Sequence, residues 1–480
     1  MAIDKPVLDH LALIDEHETT VKTVAYFDMD RTLLLGYSAV SLVLEGVRKR
    51  HPEMKRVARQ IIANIDNRNG GKQYVSVYQR VLHAFSGLEE GAFIDLGQAA
   101  FDRHLAASIY REARQIIRHH HALGHKVVIV SAATRYQVQP VAEALGVDNF
   151  CCTELCVDNG VLTGEVQGEL CYGEGKVAAA RKMAMRYRAR LDHSWFYSDS
   201  KDDLPLLKRV GHPVTVNPST PLADYAVAVD WPMLRFSSRG MPNIESALRT
   251  ALMVNSLLTS ATAGAASWVL SGSPVKAQNS MVEWLADSGA ALAGLDFKIK
   301  GLDNLESVRP AVFTFNHQSL LDSIVLAYLL RHDFVALCKH EIEKTFLLGA
   351  LLKAHGTIFI DRAASDQSLS MRRAQQALSS GQSLVIAPEG TRSSTGELLP
   401  FKPGAFVLAK KMRVPLIPIV LHNVDDALPK GKLLLRPSTI RVTIMSPLMP
   451  EQLPSTRIAA RQLRERYQSV LAEPWESNPI

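Results

Sequence analysis

Cysteine is scarce in this chain, with five thiols in 480 residues: Cys151, Cys152, Cys156, Cys171 and Cys338. The first three crowd together, but their spacing matches no zinc pattern and no downstream ligand pair completes one. A disulfide-built scaffold and a zinc module are therefore excluded, and reduced thiols in a cytosolic protein are expected. Net charge is also small: 54 Lys+Arg against 48 Asp+Glu leave +6, too little and too scattered for nucleic acid. Most of the excess lies in residues 241–480, with 25 basic against 20 acidic, compared with 29 against 28 before them. That suits a surface facing anionic lipid or an anionic substrate. Long apolar runs are missing as well. Residues 1–20 contain no apolar core of a signal peptide. Between Arg249 and Lys276 there is no charge, a length that permits a membrane span. Ser, Thr, Ala, Gly and Asn255 fill much of it, however. Its apolar content, Leu252, Met253, Leu257, Leu258, Trp268, Val269 and Leu270, favours an interfacial or protein-packed helix over a span.

A chain this long needs two or three cores. Strand patterns at 21–28, Lys126–Val130, Trp195–Ser198 and Pro213–Val216 alternate with helical ones, including a helix from about Arg135 to Leu145. Such alternation implies a doubly wound parallel sheet. The all-helical block at 38–118 reads as a cap inserted over the strand ends. Cys152–Val157 followed by Asp158-Asn159-Gly160 reads as a hairpin. His119, His120 and His121 end a helical segment before Gly124, where they suit the helix dipole. Prolines 218, 221, 232 and 242 mark a connector. Beyond it come the uncharged segment and a second helix to about Leu295. Strands then recur at 311–315, 357–360, 383–387, 415–420 and 440–445, and a polar helix from about Ser455 to Ala472 closes the chain. The organisation expected is an N-terminal extension (1–20), an α/β domain with its cap (21–235), a linker with a membrane-associated helical segment (236–296), and a second α/β domain (297–480).

The first chemical signature is Asp28-Met29-Asp30-Arg31-Thr32 at the end of a buried strand. A carboxylate there can attack phosphorus, given a second acid, a hard cation and donors for the equatorial oxygens. Ser131 follows the second strand as a hydroxyl donor. Lys176 opens a helix after Gly173 and Gly175, where charge and dipole both favour phosphate. Asp199, Asp202 and Asp203 follow the third strand and can supply the oxygens that Mg²⁺ prefers. In this order the residues resemble the haloacid dehalogenase superfamily, in its phosphoserine-phosphatase-like branch with a helical cap, over about residues 20–235. The resemblance implies Asp28 as nucleophile, Asp30 as general acid/base, Ser131 and Lys176 as phosphate-binding groups, and Mg²⁺ at Asp28, Asp30 and Asp199 with Asp203 in support. Asp202 stands where that branch more often has Asn, which leaves substrate choice open.

The second signature is Asn316-His317-Gln318-Ser319-Leu320-Leu321-Asp322, again after an apolar strand. A histidine base can take an alcohol's proton, and a carboxylate on its other nitrogen fixes the tautomer. The five-residue spacing requires His317 in a loop and Asp322 in the first turn of a helix beginning near Ser319. Ser319-x-x-Asp322 is also a capping-box pattern, so Asp322 as a mere cap is the competing reading. Asp361-Arg362 after one strand and Pro388-Glu389-Gly390-Thr391-Arg392 after another offer backbone amides, a hydroxyl and guanidinium groups suited to phosphate. With the Pro-marked strand Val414–Ile419, these blocks resemble the glycerolipid acyltransferases over about 290–450, and more closely those acting on 1-acylglycerol-3-phosphate. The resemblance implies His317 as base, Asp322 as its orienter, and Arg362, Glu389, Gly390, Thr391 and Arg392 at the acceptor. Partners would be acyl-CoA or acyl carrier protein and lysophosphatidic acid at an anionic membrane surface on the cytoplasmic face, with no nucleic acid. Two further readings stand beside this one. In one, a glycerol-3-phosphate acyltransferase has a phosphatase half that strips its product. In the other, the N-terminal half is a silent regulatory module.

Overall fold

The computed structural model describes residues 5–17, 20–49, 82–83, 85–237, 244–305, 308–345, 348–360, 368–393, 398–430, 432–473 and 475. The chain folds as two compact units, Ile3–Gly240 and Met241–Ile480, each α/β.

In the first unit six parallel strands lie in the order β3-β2-β1-β6-β7-β8. They are β1 (Val24–Phe27), β2 (Lys126–Thr134), β3 (Asn149–Thr153), β6 (Trp195–Ser198), β7 (His212–Val216) and β8 (Met233–Leu234). β1 and β6 are buried along their whole length, which is why they read as unbroken apolar runs rather than alternating ones. One face packs on α1 (Lys5–Glu16), α4 (Arg111–Ala122) and α5 (Arg135–Leu145), and the other on α6 (Glu174–Tyr187). The strand order reverses between β1 and β6. In open α/β sheets that reversal opens a crevice beyond the strand C-termini.

The cap differs from the sequence expectation. Its described core joins α2 (Ser38–Arg48), Leu82, Phe85 and α3 (Glu90–Ala100) to Leu155 and Leu162. Those leucines belong to β4 (Leu155–Asp158) and β5 (Val161–Val166), which form the hairpin about Asn159-Gly160. Cys151 and Cys152 lie on β3 in the main sheet instead, so the expected hairpin began one strand too early. α4, expected in the cap, buries Ala113, Ile116 and Ile117 against the sheet. His119 and His121 contact Asp15 and Asp148, and His120 lies inside the core.

In the second unit seven strands lie in the order β12-β11-β13-β10-β14-β15-β9. They are β9 (Leu295–Lys300), β10 (Val312–Phe315), β11 (Phe334–Lys339), β12 (Ile358–Ile360), β13 (Ser383–Ile386), β14 (Leu416–Leu421) and β15 (Ser438–Ile444). All neighbours are parallel except β14 and β15. β9 and β11 were absent from the sequence reading. β9 alternates buried or half-buried positions with exposed ones at the sheet edge, and β11 ends in Cys338 and Lys339. β9 carries a charge at every second position, whereas β11 is apolar from Phe334 to Cys338.

The uncharged segment lies within α7 (Ile244–Ser271), which pairs with α8 (Pro274–Ala293). Its buried positions are Ser246, Ser256, Ser260 and Gly264, whereas Leu252, Leu258, Trp268, Val269 and Leu270 are exposed. Small residues let two helices approach closely. A Cβ on Gly264 would come within 3.1 Å of the Ala277 carbonyl oxygen and 3.2 Å of Met281 Cβ. Among the described residues no helix is long and apolar enough to cross a membrane.

Candidate active sites

The first constellation gathers at the β1/β6 crevice. Asp28 follows β1, and its N–H donates to the Tyr197 carbonyl of β6 at 2.9 Å. Lys176, in the first turn of α6, donates to Asp28 Oδ1 at 2.7 Å and to Asp203 Oδ2 at 2.8 Å. Ser198 Oγ donates to the same Asp203 oxygen at 2.6 Å. Asp203 is thus a bracket for Lys176, and Lys176 neutralises Asp28. Burial pushes the Asp28 carboxyl up, Lys176 opposes that, and Asp203 and Asp30 reinforce it. Asp199 is likewise pushed well up, by burial and then by Asp28. Arg31 pairs with Asp199 at 3.2 Å, with its backbone in the left-handed region at φ 60°. Ser131 lies inside β2 rather than past its end, buried, with its Oγ accepting from the Ala133 N–H at 3.2 Å.

Asp30 is held by Ser38. Its Oδ1 accepts from Ser38 N at 2.9 Å and its Oδ2 from Ser38 Oγ at 3.1 Å. Gln137 Nε2 in turn donates to Ser38 Oγ at 2.9 Å. Burial raises the Asp30 carboxyl to about 6, with both Ser38 bonds opposing it. A carboxyl poised near neutrality can serve as an acid and then as a base. Ser38 and Gln137 were missed from sequence; the one local signal was the Thr134-x-x-Gln137 capping box that orients Gln137.

Among the described residues no three His, Cys, Asp or Glu side chains converge as a ready cage for a metal. Mg²⁺ needs only one or two protein carboxylates, with water and substrate phosphate completing its shell. Among the described residues, the cations paired with the four buried or half-buried carboxylates Asp28, Asp30, Asp199 and Asp203 are Lys176 and Arg31 alone. That excess of hard anionic oxygen fits a divalent cation, with Asp28 and Asp199 as the carboxylates turned toward one crevice. The Asp30 carboxylate is occupied by Ser38.

The second constellation forms where β10, β13 and β14 end. Asn316 fastens the loop to β14: its Nδ2 donates to Leu421 O at 2.8 Å and its Oδ1 accepts from Leu421 N at 2.7 Å. Gln318 adds a bond to Leu421 O and accepts from Val424 N. His317 Nδ1 lies 2.6 Å from Asp322 Oδ2. The same oxygen accepts from the N–H groups of Gln318 and Ser319 at 2.8 and 3.0 Å. Asp322 is the first residue of α9 (Asp322–Leu330), three residues later than the expected helix start. The capping and orienting readings therefore coincide: one carboxylate oxygen closes the loop and holds the imidazole. Among the described residues Asp322 Oδ1 is buried without a hydrogen-bond partner. With an ionised Asp322 able only to accept, the His317 proton belongs on Nδ1, and Nε2 is left as the base.

Glu389 does not face an acceptor. It is buried, and its Oε1 and Oε2 accept from the backbone N–H groups of His317 at 2.7 Å and Leu399 at 2.8 Å. Burial raises its carboxyl to about 7, with those two N–H bonds opposing. It is a bracket for the His317 backbone, a role the spacing did not show. Gly390 turns the chain at φ 77°, leaving Thr391 exposed and Arg392 half-buried. Lys430 Nζ donates to the Arg392 carbonyl at 2.9 Å. Asp361 and Arg362 lie outside the described residues.

A family model described as haloacid dehalogenase-like hydrolase matches residues 25–208, and one described as acyltransferase matches residues 296–422. Over 220 residues the chain is 31% identical to a probable phosphatase of Mycobacterium tuberculosis, covering 45% of this chain and 76% of that protein. Over 206 residues it is 28% identical to 1-acyl-sn-glycerol-3-phosphate acyltransferase beta of Homo sapiens, covering 41% of this chain and 74% of that protein. Over 189 residues it is 32% identical to 1-acyl-sn-glycerol-3-phosphate acyltransferase of Saccharomyces cerevisiae, covering 38% and 62% respectively.

Proposed function

Because the chain belongs to the haloacid dehalogenase-like hydrolases through its first half and carries an acyltransferase domain in its second, we propose one specific pair of chemistries. The second half acylates 1-acylglycerol-3-phosphate to phosphatidic acid, and the first hydrolyses a phosphomonoester through an aspartyl-phosphate.

The observation that carries the acyl-transfer reading is the His317–Asp322 pair, held from behind by Glu389. His317 Nε2 takes the proton of the acceptor hydroxyl as its oxygen attacks the thioester carbonyl. A C–O bond forms, the C–S bond breaks, and the leaving thiolate recovers the proton. Asp322 stabilises the imidazolium. Arg392 holds the acceptor phosphate by charge-assisted hydrogen bonds, and the same role is proposed for Arg362. Gly390 and Thr391 shape that turn.

In the first half Asp28 attacks phosphorus and Asp30 protonates the departing alcohol. Asp30 then takes a proton from the water that opens the aspartyl-phosphate. Lys176 offsets charge on Asp28 throughout, and Ser131 supplies a hydroxyl at the crevice. Mg²⁺, bound by Asp28 and Asp199, would neutralise phosphate charge. The exposed apolar side of α7 favours attachment to a membrane surface, on the cytoplasmic side where the basic excess meets anionic lipid.

The test is to incubate the whole protein with lysophosphatidic acid, Mg²⁺ and either acyl-CoA or acyl carrier protein, and to weigh the lipid products. Phosphatidic acid is the expected product. Failure with both donors would remove the acyl-transfer reading. In a parallel incubation with glycerol-3-phosphate as the acceptor, monoacylglycerol as the product would favour the reading in which the phosphatase half strips the acylated product.

A further inference from the structure

Ala427 and Arg436 close a neck beside the second site. The Arg436 N–H donates to the Ala427 carbonyl at 2.9 Å, and Leu428 and Leu435 are both buried at its base. Beyond that base the Lys432 N–H donates to the Pro429 carbonyl at 3.1 Å. Lys432 is exposed, and Leu433 is 81% exposed. That open leucine stands beside a lysine and between two leucines anchored in the core.

Three bonds place this loop. Ser319 Oγ, two residues from His317, donates to the Leu428 carbonyl at 2.7 Å. Lys430 Nζ donates to the Arg392 carbonyl at 2.9 Å. Leu435 N–H donates to Thr250 Oγ1 of α7 at 2.9 Å. The loop therefore ties the base, the acceptor arginine and the helix with the exposed apolar side into one rim. Leu320, beside Ser319, is also exposed.

We propose that Lys430, Lys432 and Leu433 form the lip by which the acyl-transfer site is pressed onto an anionic bilayer. Leu433 enters the headgroup–acyl boundary and Lys432 pairs with anionic headgroups. Lys430, behind them, holds the Arg392 turn toward the lipid. The acceptor's phosphate then reaches Arg392 while its acyl chain stays in apolar surroundings. The idea rests on the acyl-transfer and membrane-surface readings above, and it assigns them a place of contact. A bilayer fits better than a protein groove, because the feature is one apolar side chain among like charges at the mouth of a lipid-handling site.

The test uses the whole protein as wild type, Leu433→Asp and Lys432→Glu. Co-sedimentation is measured with phosphatidylcholine vesicles, with and without phosphatidylglycerol. Acyl transfer is measured to vesicle-borne lysophosphatidic acid and to a short-chain, monodisperse one. Each variant should lose about fivefold or more in binding to the anionic vesicles. Each should show a KM raised in proportion for the vesicle-borne acceptor, with kcat and KM on the monodisperse acceptor kept. Wild-type binding and kinetics in both variants would overturn the lip while leaving the acyltransferase standing. Equal loss on both acceptors would also overturn it, by showing that the loop serves the chemistry directly. Wild-type protein that ignores vesicles yet acylates the monodisperse acceptor would refute the membrane reading itself, and the lip with it.

Discussion

Asp322 shows how much one oxygen can be asked to do. Its Oδ2 meets the His317 imidazole and two backbone N–H groups. Asp322→Asn presents that cluster with a neutral amide that prefers the wrong tautomer. Loss of a cap alone would cost about 1 kcal/mol. We therefore expect acyl-transfer turnover to fall much further than stability does, with near-full turnover in a well-folded Asp322→Asn protein removing the orienting role. His317→Ala should lower kcat by about 10²–10⁴-fold, the usual worth of a general base, with little change in acceptor KM. Arg392→Ala should act chiefly on that KM, since the bond proposed for it to the acceptor phosphate would exist before and during reaction. Steady-state kinetics with varied lysophosphatidic acid separates the two patterns.

These residues were legible because each follows a strand and each belongs to a short local pattern. Ser38, Gln137, Asn316 and the bracketing role of Glu389 were not. Their partners are 99, 105 and 72 residues away in sequence for Gln137–Ser38, Asn316–Leu421 and Glu389–His317. No spacing rule reaches that far.

At the scale of elements, α1 rests on buried imidazoles. His10 Nε2 and His120 Nε2 lie 3.0 and 2.8 Å from the Tyr197 hydroxyl, and His120 Nδ1 lies 2.9 Å from His125 Nδ1. Burial, with His119 nearby, lowers His10 to about 4. A folded-state value below the unfolded one means that the unfolded chain takes up protons first. The stability His10 contributes is complete above about pH 6.5 and is lost as pH falls toward 4. His10→Gln should therefore flatten the drop in melting temperature of the phosphatase half between pH 7 and pH 5. An unchanged slope would mean that His10 is not a source of the drop. The α7–α8 seam gives a second expectation. Gly264→Leu would overfill a contact that already stands at 3.1 Å from backbone. A cost of about 1–3 kcal/mol follows, visible as a lower melting temperature for the acyltransferase half.

Elements were legible where burial is two-sided or the helix long. The strands β1, β10 and β14 and the helix Arg135–Leu145 announce themselves. β9 and β11 do not: the alternation of β9 spans only six residues, and a short apolar run such as Phe334–Cys338 is not told from a buried helix segment by periodicity. The early hairpin has a different cause: β3 and β4 are separated by Glu154 alone, too little punctuation to divide them.

At the scale of the whole molecule, the two motif sets fall in different compact units. Asp28→Asn should abolish phosphate release and spare acyl transfer, and His317→Ala should do the reverse. Loss of both activities in either well-folded variant would show that the sites are coupled.

The seam of α7 also bears on which sequences can drift. Ordinarily a helix tolerates exchange among its polar residues and guards its leucines. Here Ser256, Ser260 and Gly264 are the guarded positions, while Leu252, Leu258 and Leu270 tolerate exchange as far as folding is concerned. A catalogue of accepted substitutions along Ile244–Ser271 would look inverted, and a ranking of its sites by hydrophobicity would order them backwards.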